Sequence, residues 1–128
     1  MAFRLEREKT NTTPYVLIDE ERGYLRLEGK SYLENILAFF KEINEWLEEY
    51  LASDADSLTF DCEMEYFNSS TTKQFFNMLR VMDEASLKGV NVVVNWIVAK
   101  EDEMGIECGE DFQEEMESLE FNVVVKYE

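Results

Sequence analysis

Alternation of apolar and polar residues marks two segments of the chain as β-strands that each bury one face. Apolar and mostly polar side chains alternate along Leu58–Phe67 and again along Leu119–Tyr127, where only Val124 breaks the pattern. A polar second face indicates a sheet with helices on one side only, because strands covered on both sides read as continuous apolar runs. Val90–Val98 is more apolar and is predicted to lie inside the sheet.

A β-hairpin is predicted nearer the N-terminus. Its strands are Tyr15–Asp19 and Tyr24–Glu28, separated by Glu20–Gly23. Gly23 suits this connection because glycine readily takes the positive φ that hairpin turns need. A further short strand is predicted at Phe3–Arg7.

Apolar residues recur at intervals of three and four in three further segments, which predicts amphipathic helices. These helices are Leu33–Leu51, about Ser70–Leu87, and roughly Glu110–Glu117. Ser31 and Glu34 match a capping box before the first helix, and Gly89 follows the second as a C-terminal cap. The element order β-β-β-α-β-α-β-α-β predicts one α/β domain of the α+β type over residues 1–128. Its mixed sheet has about five to six strands, with three helices mainly on one face.

The composition is that of a globular protein with a strongly acidic surface. Apolar residues make up 45% of the chain and aromatic residues 13%, enough to build a core. The 29 Asp and Glu residues exceed the 12 Lys and Arg residues, and the formal net charge is -17. A field of that sign repels phosphate backbones and anionic lipids, so we expect neither nucleic acid nor a membrane as partner. The acidity either maintains solubility or docks a basic partner.

The residues that many enzymes use are missing from this sequence. The chain contains no His, which removes Ser-His and Cys-His nucleophiles, His-ligated metals and the usual general base near neutral pH. Cys62 and Cys108 lack the paired spacing of zinc or redox sites and are expected as reduced thiols. We therefore expect no catalytic residues, no metal site and no cofactor. The absence of a long apolar run predicts a cytoplasmic protein.

Four consecutive hydroxyl residues, Ser69 to Thr72, stand where the strand Leu58–Phe67 ends and the second helix begins. One hydroxyl is expected to cap the helix by accepting a hydrogen bond from a free amide. The others indicate an accessible phosphorylation site, since a phosphate there meets the positive end of the helix dipole. Lys73 lies one turn on and can pair with that phosphate. A simple cap among solvated polar residues is the competing interpretation.

A second polar segment, Lys100–Asp111, combines six carboxylates with two glycines. It does not match a Ca²⁺ loop: counted from Asp102, the sixth position is not Gly and the twelfth is not Glu. It is interpreted as an acidic loop, either solvated or docking a basic partner. The candidate partner-binding residues are Trp96, Asp102, Glu103, Glu107, Glu110 and Asp111.

Several short motifs together resemble the SiaC-type regulatory phosphoproteins, a bacterial family. They are Thr13–Val16, Gly29–Asn35, Tyr66–Ser70, Asn95–Trp96, Asp102–Met104 and Glu107–Phe112. The resemblance covers nearly the whole chain. It implies a fold similar to STAS domains, in which phosphorylation of Ser or Thr at a strand-to-helix junction selects the partner.

Carried over by position, the resemblance implies that Ser69 is the phosphoacceptor, where the family commonly has Thr. Ser70 and Thr71 are the alternative acceptors, and Tyr66, Asn68, Ser70 and Lys73 form the frame of the switch. A dedicated Ser/Thr kinase and a PP2C-type phosphatase set the phosphorylation state in such families. The unphosphorylated protein is then expected to control a diguanylate cyclase, in c-di-GMP signalling.

Two other classes of function remain open from the residues alone. A small carboxylate- or metal-dependent enzyme would use Asp102, Glu107 and Asp111. A constitutive structural subunit would instead build a permanent interface from its bulky aromatic side chains, which are Phe39, Trp46 and Trp96.

Overall fold

A computed structural model describes residues 2–127, which fold around one mixed β-sheet. The elements in chain order are β1 (Arg4–Arg7), β2 (Tyr15–Asp19), β3 (Tyr24–Ser31), α1 (Ile36–Ala52), β4 (Ser57–Phe67), α2 (Ser69–Leu87), β5 (Asn91–Ala99), α3 (Glu103–Glu115) and β6 (Glu120–Lys126). The strands lie side by side in the same order as in the chain. Within residues 2–127, no helix combines the length and apolar character needed to cross a membrane.

β2 runs opposite to the other five strands of the sheet. The pairs β1–β2 and β2–β3 are antiparallel, and the predicted hairpin is confirmed, with Gly23 at a φ of +61°. From β3 to β6 all neighbours are parallel, and each parallel pair is connected through one helix. This arrangement follows from geometry, because parallel neighbours need a crossover long enough to return the chain to the same end of the sheet.

The helices cover one face of the sheet, as the alternating strands predicted. In β4 the residues Leu58, Phe60, Cys62 and Met64 are buried, whereas their neighbours along the strand are only partly covered. All of the large buried apolar side chains of residues 2–127 belong to one continuous core between this face and the helices. Burial of these side chains is the main source of stability in such a layered fold.

A chain of aromatic rings runs through the core towards one end of the sheet. Phe40 of α1 packs edge-on against Phe75 of α2, which contacts Trp96 of β5 at 5.8 Å between ring centroids. Trp96 in turn packs against Phe112 of α3 at 5.3 Å. Trp46 is also buried in the core. The rings that a structural subunit would need for an interface are therefore mostly used for folding.

The opposite face of the sheet is open and polar. The Tyr24 hydroxyl donates to Asp61 at 2.7 Å, and the Arg26 guanidinium donates to Glu63 at 2.7 Å. Lys126 of β6 also donates to Glu63. Desolvation raises the pKa of the Glu63 carboxyl, but the hydrogen bonds from Lys126 and Arg26 outweigh it and lower that pKa below its ordinary value.

Two helix starts differ from the sequence prediction. Ser31 is not a cap: it is the last residue of β3, it is fully buried, and α1 begins only at Ile36. The strand extends to Ser31 because its end pairs with the long β4, Ser31 lying opposite Phe67. The capping-box prediction was therefore wrong.

The third helix starts at Glu103 rather than near Glu110, so most of the predicted acidic loop is helical. The two glycines of that segment, Gly105 and Gly109, lie on the buried side of α3. A Cβ on Gly109 would fall well inside van der Waals contact of the Trp96 indole, so the close packing of helix and ring needs glycine.

Candidate functional site

The candidate site is a cavity at the edge of the sheet where the parallel strands β4 and β5 end. Its volume is about 340 Å³, and it lies between the start of α2 and the start of α3. Tyr66, Asn68 and Ser69 line it from one side, and Asp102 and Met104 from the other. Crevices at the carboxyl ends of parallel strands are common binding sites because the following loops and helix starts converge there.

Asn68 builds the turn between β4 and α2. Its backbone is extended, and its side-chain Oδ1 accepts a hydrogen bond from the Thr71 N–H at 3.0 Å, which caps α2. The backbone oxygen of Asn68 also accepts from the Thr72 N–H at 3.0 Å. The cap is therefore an amide side chain, and the expectation that one of the four hydroxyls would cap the helix was wrong.

Beneath this turn lies a buried pair of hydroxyls, here called the Ser31–Thr71 pair. Both residues are fully buried, and their hydroxyl oxygens lie 2.8 Å apart. The Thr71 hydroxyl is also 3.1 Å from the Ser31 carbonyl and 3.0 Å from Asn68 Oδ1, one of which accepts its proton. The Asn68 N–H donates to the same Ser31 carbonyl at 3.2 Å. The end of β3 thus holds the β4–α2 turn from below.

The four hydroxyl residues have different environments. Ser69 and Ser70 are exposed, Thr72 is partly buried and donates to the Asn68 carbonyl, and Thr71 is buried in the core. Ser69 lines the cavity, whereas Ser70 does not. Burial of the Thr71 hydroxyl favours the exposed Ser69 and Ser70 over Thr71 as the predicted acceptor. Lys73 is exposed one turn beyond Ser69 and lies outside the cavity.

Asp102 forms the opposite wall and caps α3. Its Oδ1 accepts a hydrogen bond from the Gly105 N–H at 2.9 Å, which satisfies a free donor of the first helical turn. The Gly105 carbonyl in turn accepts from the Trp96 indole N–H at 2.9 Å. Trp96, a predicted partner-binding residue, is buried in the core. It instead supports the start of α3 from the core.

The remaining predicted partner-binding residues lie on the exposed side of α3, outside the cavity. They are Glu103, Glu107, Glu110 and Asp111. Asp102 alone of the acidic candidates is brought next to the Ser69 turn.

Three residues that the sequence did not single out complete the site. Met104 is 84% exposed at the mouth of the cavity, Cys108 lies deeper, and Glu65 adds a carboxylate from the end of β4. Burial raises the pKa of the Cys108 thiol to about 11, and the negative charges of Asp111 and Asp102 act in the same direction. The thiol therefore stays neutral near pH 7 and contributes an apolar wall. A signal was present in the sequence: Met104 is an apolar residue in an otherwise acidic run.

Comparison with known proteins now decides the family. The model of the SiaC family of regulatory phosphoproteins matches residues 7–126. The chain belongs to the SiaC family. Its resemblance to that family, noted from the short motifs, is confirmed over nearly the whole chain.

Relatives of this SiaC-family chain occur in Pseudomonas aeruginosa. The uncharacterized protein PA14_02130 of strain UCBPP-PA14 is 31% identical over 106 residues, which are 83% of this chain and 84% of that protein. The structure of SiaC of Pseudomonas aeruginosa matches with a TM-score of 0.89 at 28% identity, covering 97% of this chain and 99% of SiaC.

A further match is the crystal structure of the diguanylate cyclase SiaD in complex with its activator SiaC from Pseudomonas aeruginosa. The TM-score is 0.90 at 30% identity, and the match covers 95% of this chain and 99% of that chain. Membership of this family assigns the chain a regulatory role.

Within the described part of this SiaC-family chain, the acidic side chains form no metal-binding cluster. Among residues 2–127, no group of three or more His, Cys, Asp or Glu side chains is placed to hold a metal ion. Asp102 is used as a helix cap, whereas Glu107 and Asp111 are exposed elsewhere on α3. Of the three carboxylates that a carboxylate- or metal-dependent enzyme would use, only Asp102 lines the cavity.

Proposed function

We propose that this chain is a non-catalytic cytoplasmic protein that activates a diguanylate cyclase while Ser69 is unphosphorylated. Support for the partner comes from the SiaC structure described as the activator of the cyclase SiaD, which matches this chain with a TM-score of 0.90. The observation that carries the switch is the position of the Ser69 hydroxyl. It is exposed at the first residue of α2 and stands on the wall of the cavity.

Phosphorylation at this position is compatible with the local geometry. Ser69 is the first residue of α2, where amide N–H groups without helical partners and the helix dipole stabilise negative charge. Lys73 lies four residues on, on the same side of the helix surface. A phosphoserine can therefore form without disturbing the Asn68 cap, whose bonds involve Thr71 and Thr72.

The same phosphate would oppose binding of a partner across the cavity. It adds roughly -1.5 to -2 charges, next to the carboxylates of Glu65 and Asp102 that already line the cavity. A partner that covers the cavity must remove water from this dianion, which is costly unless every oxygen finds a new donor. We infer that a Ser/Thr kinase switches the activator off and that a PP2C-type phosphatase restores it.

The decisive experiment compares Ser69 with Ser70, its exposed neighbour outside the cavity. The full chain is titrated into the purified diguanylate cyclase from the same organism, and both the Kd and the rate of c-di-GMP synthesis are measured. Ser69→Ala should behave as the unsubstituted protein, whereas Ser69→Asp should bind about tenfold more weakly, which corresponds to about 1.4 kcal/mol. Ser70→Asp is the matched control, because it adds the same charge beside the cavity.

Two results would contradict this function. Equal affinity of Ser69→Asp and Ser69→Ala would show that charge at this position does not control binding. Equal losses for Ser69→Asp and Ser70→Asp would show that general surface charge, not the cavity wall, is responsible.

The phosphorylation step has its own test. Incubation with the candidate kinase should add one phosphoryl group, and peptide mapping by mass spectrometry should place it on Ser69. Treatment with the PP2C-type phosphatase should remove it and restore cyclase activation. If the phosphate of the unsubstituted protein is found on Ser70 instead, Ser69 is not the phosphoacceptor and the proposed switch is wrong.

A further inference from the structure

The apolar character of the cavity mouth is not explained by phosphorylation. Tyr66 is 54% exposed on one side of the mouth and Met104 is 84% exposed on the other. Tyr32, also exposed, packs edge-on against Tyr66 with 5.6 Å between ring centroids. Exposed large apolar side chains that gather at one concave site commonly mark a protein interface.

The charged residues that line this cavity are all acidic. Glu65 and Asp102 line the cavity, and Glu103 is exposed beside Asp102 at the start of α3. Of the described residues that line the cavity, none is Lys or Arg. The site therefore disfavours a phosphate-bearing ligand such as a nucleotide, and it complements a segment that carries positive charge.

The size of the cavity limits what can enter it. A volume of about 340 Å³ is at the lower end of the range of roughly 300–1,000 Å³ for small-molecule pockets. It suits one or two apolar side chains. Most of the accessible lining is apolar, including Phe67 and the neutral thiol of Cys108. The polar side chains of Asn68, Ser69 and Thr72 form the smaller part.

We propose that the cavity binds one apolar side chain of the partner cyclase, while a Lys or Arg beside that side chain pairs with Glu65, since the Asp102 carboxylate already caps α3. This inference rests on the proposed function, because it takes the cyclase as the partner. The apolar side chain provides the anchor that excludes water, and the basic residue provides orientation and long-range attraction.

The basic residue does not reverse the effect of phosphorylation. Ser69 lines the same cavity, so a phosphoryl group on its hydroxyl takes up part of the space and keeps the cavity hydrated. The apolar anchor then loses its dry pocket, whereas a hydrated phosphate pairs only weakly with an exposed Lys or Arg. The switch acts through desolvation and volume at the anchor site.

Binding of the purified cyclase to substituted forms of the full chain tests this inference. Met104→Ser should raise the Kd about tenfold, as expected for removing part of an apolar anchor site. Leu87→Ser is the matched control: Leu87 is 61% exposed at the far end of α2, outside the cavity. It should change the Kd less than about twofold.

The salt dependence of cyclase binding tests the inferred ion pair separately. Glu65→Gln should weaken binding about threefold at low salt, and the difference should shrink as salt screens the pair. Glu110→Gln removes an exposed carboxylate from α3 outside the cavity and serves as the control. Overlapping peptides from the cyclase should bind only where Leu, Met, Phe or Trp stands beside Lys or Arg, and Met104→Ser should abolish that binding.

The outcomes separate this inference from the proposed function. If the cyclase binds and is activated but Met104→Ser and Leu87→Ser have equal Kd values, the anchor site is wrong and the proposed function stands. If Met104→Ser loses binding but Glu65→Gln behaves as Glu110→Gln at every salt concentration, the inferred pairing with a Lys or Arg of the cyclase is wrong. If the unsubstituted chain neither binds nor activates the cyclase, both proposals fall.

Discussion

The Ser31–Thr71 pair offers a direct test of how the β4–α2 turn is held in place. Thr71→Val replaces a fully buried hydroxyl by a methyl group of similar size, so the shape of the core is kept. The substitution leaves the Ser31 hydroxyl, also fully buried, without its partner at 2.8 Å. A buried polar group left without a hydrogen bond costs about 1–3 kcal/mol, and we expect the free energy of unfolding to fall by that amount.

The control variants separate the lost hydrogen bond from lost packing. Thr71→Ser keeps the hydroxyl and removes one methyl group, which should cost about 0.8 kcal/mol. The double variant Ser31→Ala, Thr71→Val removes both hydroxyls, so no polar group is left unpaired. Its cost should be smaller than the sum of the two single costs by about 1 kcal/mol or more.

Urea unfolding followed by circular dichroism measures each free energy, and an unchanged slope shows that the unfolded state is not altered. Hydrogen exchange at the Thr71 and Thr72 amides reports the local effect, which we expect as faster exchange in Thr71→Val. Strict additivity of the two single substitutions, within about 0.3–0.5 kcal/mol, would refute the inferred coupling between the end of β3 and the turn.

Three further predictions concern Asp83, Gly109 and Cys108. Desolvation raises the pKa of Asp83, but hydrogen bonds from three backbone N–H groups of residues 117–119 outweigh it and lower that pKa. The ionised Asp83 carboxylate therefore stabilises the fold fully above its unfolded pKa of about 3.9. This stabilisation is lost as the pH falls through the pKa of the folded state. Asp83→Asn should lower the free energy of unfolding by about 1–3 kcal/mol at pH 7, and it should make that free energy depend less on pH in the acid range. An unchanged pH dependence in the acid range would contradict this prediction. Gly109→Ala should cost about 1–3 kcal/mol in urea unfolding because its Cβ meets the Trp96 indole, whereas Glu110→Ala should stay within about 0.5 kcal/mol. With its pKa raised to about 11, the Cys108 thiol should react with iodoacetamide at pH 7 more slowly than free cysteine does. An equal rate would refute the inference that this thiol is neutral and forms an apolar wall of the cavity.

Local periodicity determined most of the architecture. Alternation along β4 and β6 was enough to predict a sheet with one covered face, because the period of two follows directly from strand geometry. Apolar residues spaced three and four positions apart predicted α1 and α2 in the same way. It failed at the first half of α3, where Gly105 and Gly109 have low intrinsic helix propensity and Gly109 packs against Trp96, which is distant in the chain.

The sequence predicted only part of the candidate site. The hydroxyl run at the start of α2 marked the Ser69 turn, but nothing local distinguished exposed Ser69 from buried Thr71. That difference depends on Ser31, a residue 40 positions away in the chain. In the same way, the sequence contained Met104 and Asp102 but no sign that they face Ser69.

Tertiary structure brought these residues together for a simple reason. β4 and β5 are parallel neighbours, so both end at the same edge of the sheet, and α2 and α3 start there side by side. The sequence by itself determined the order of the strands and helices and most of their bounds, and it showed that the chain is strongly acidic. Only the pairing of the strands decided that an exposed serine, an apolar mouth and two carboxylates share one cavity.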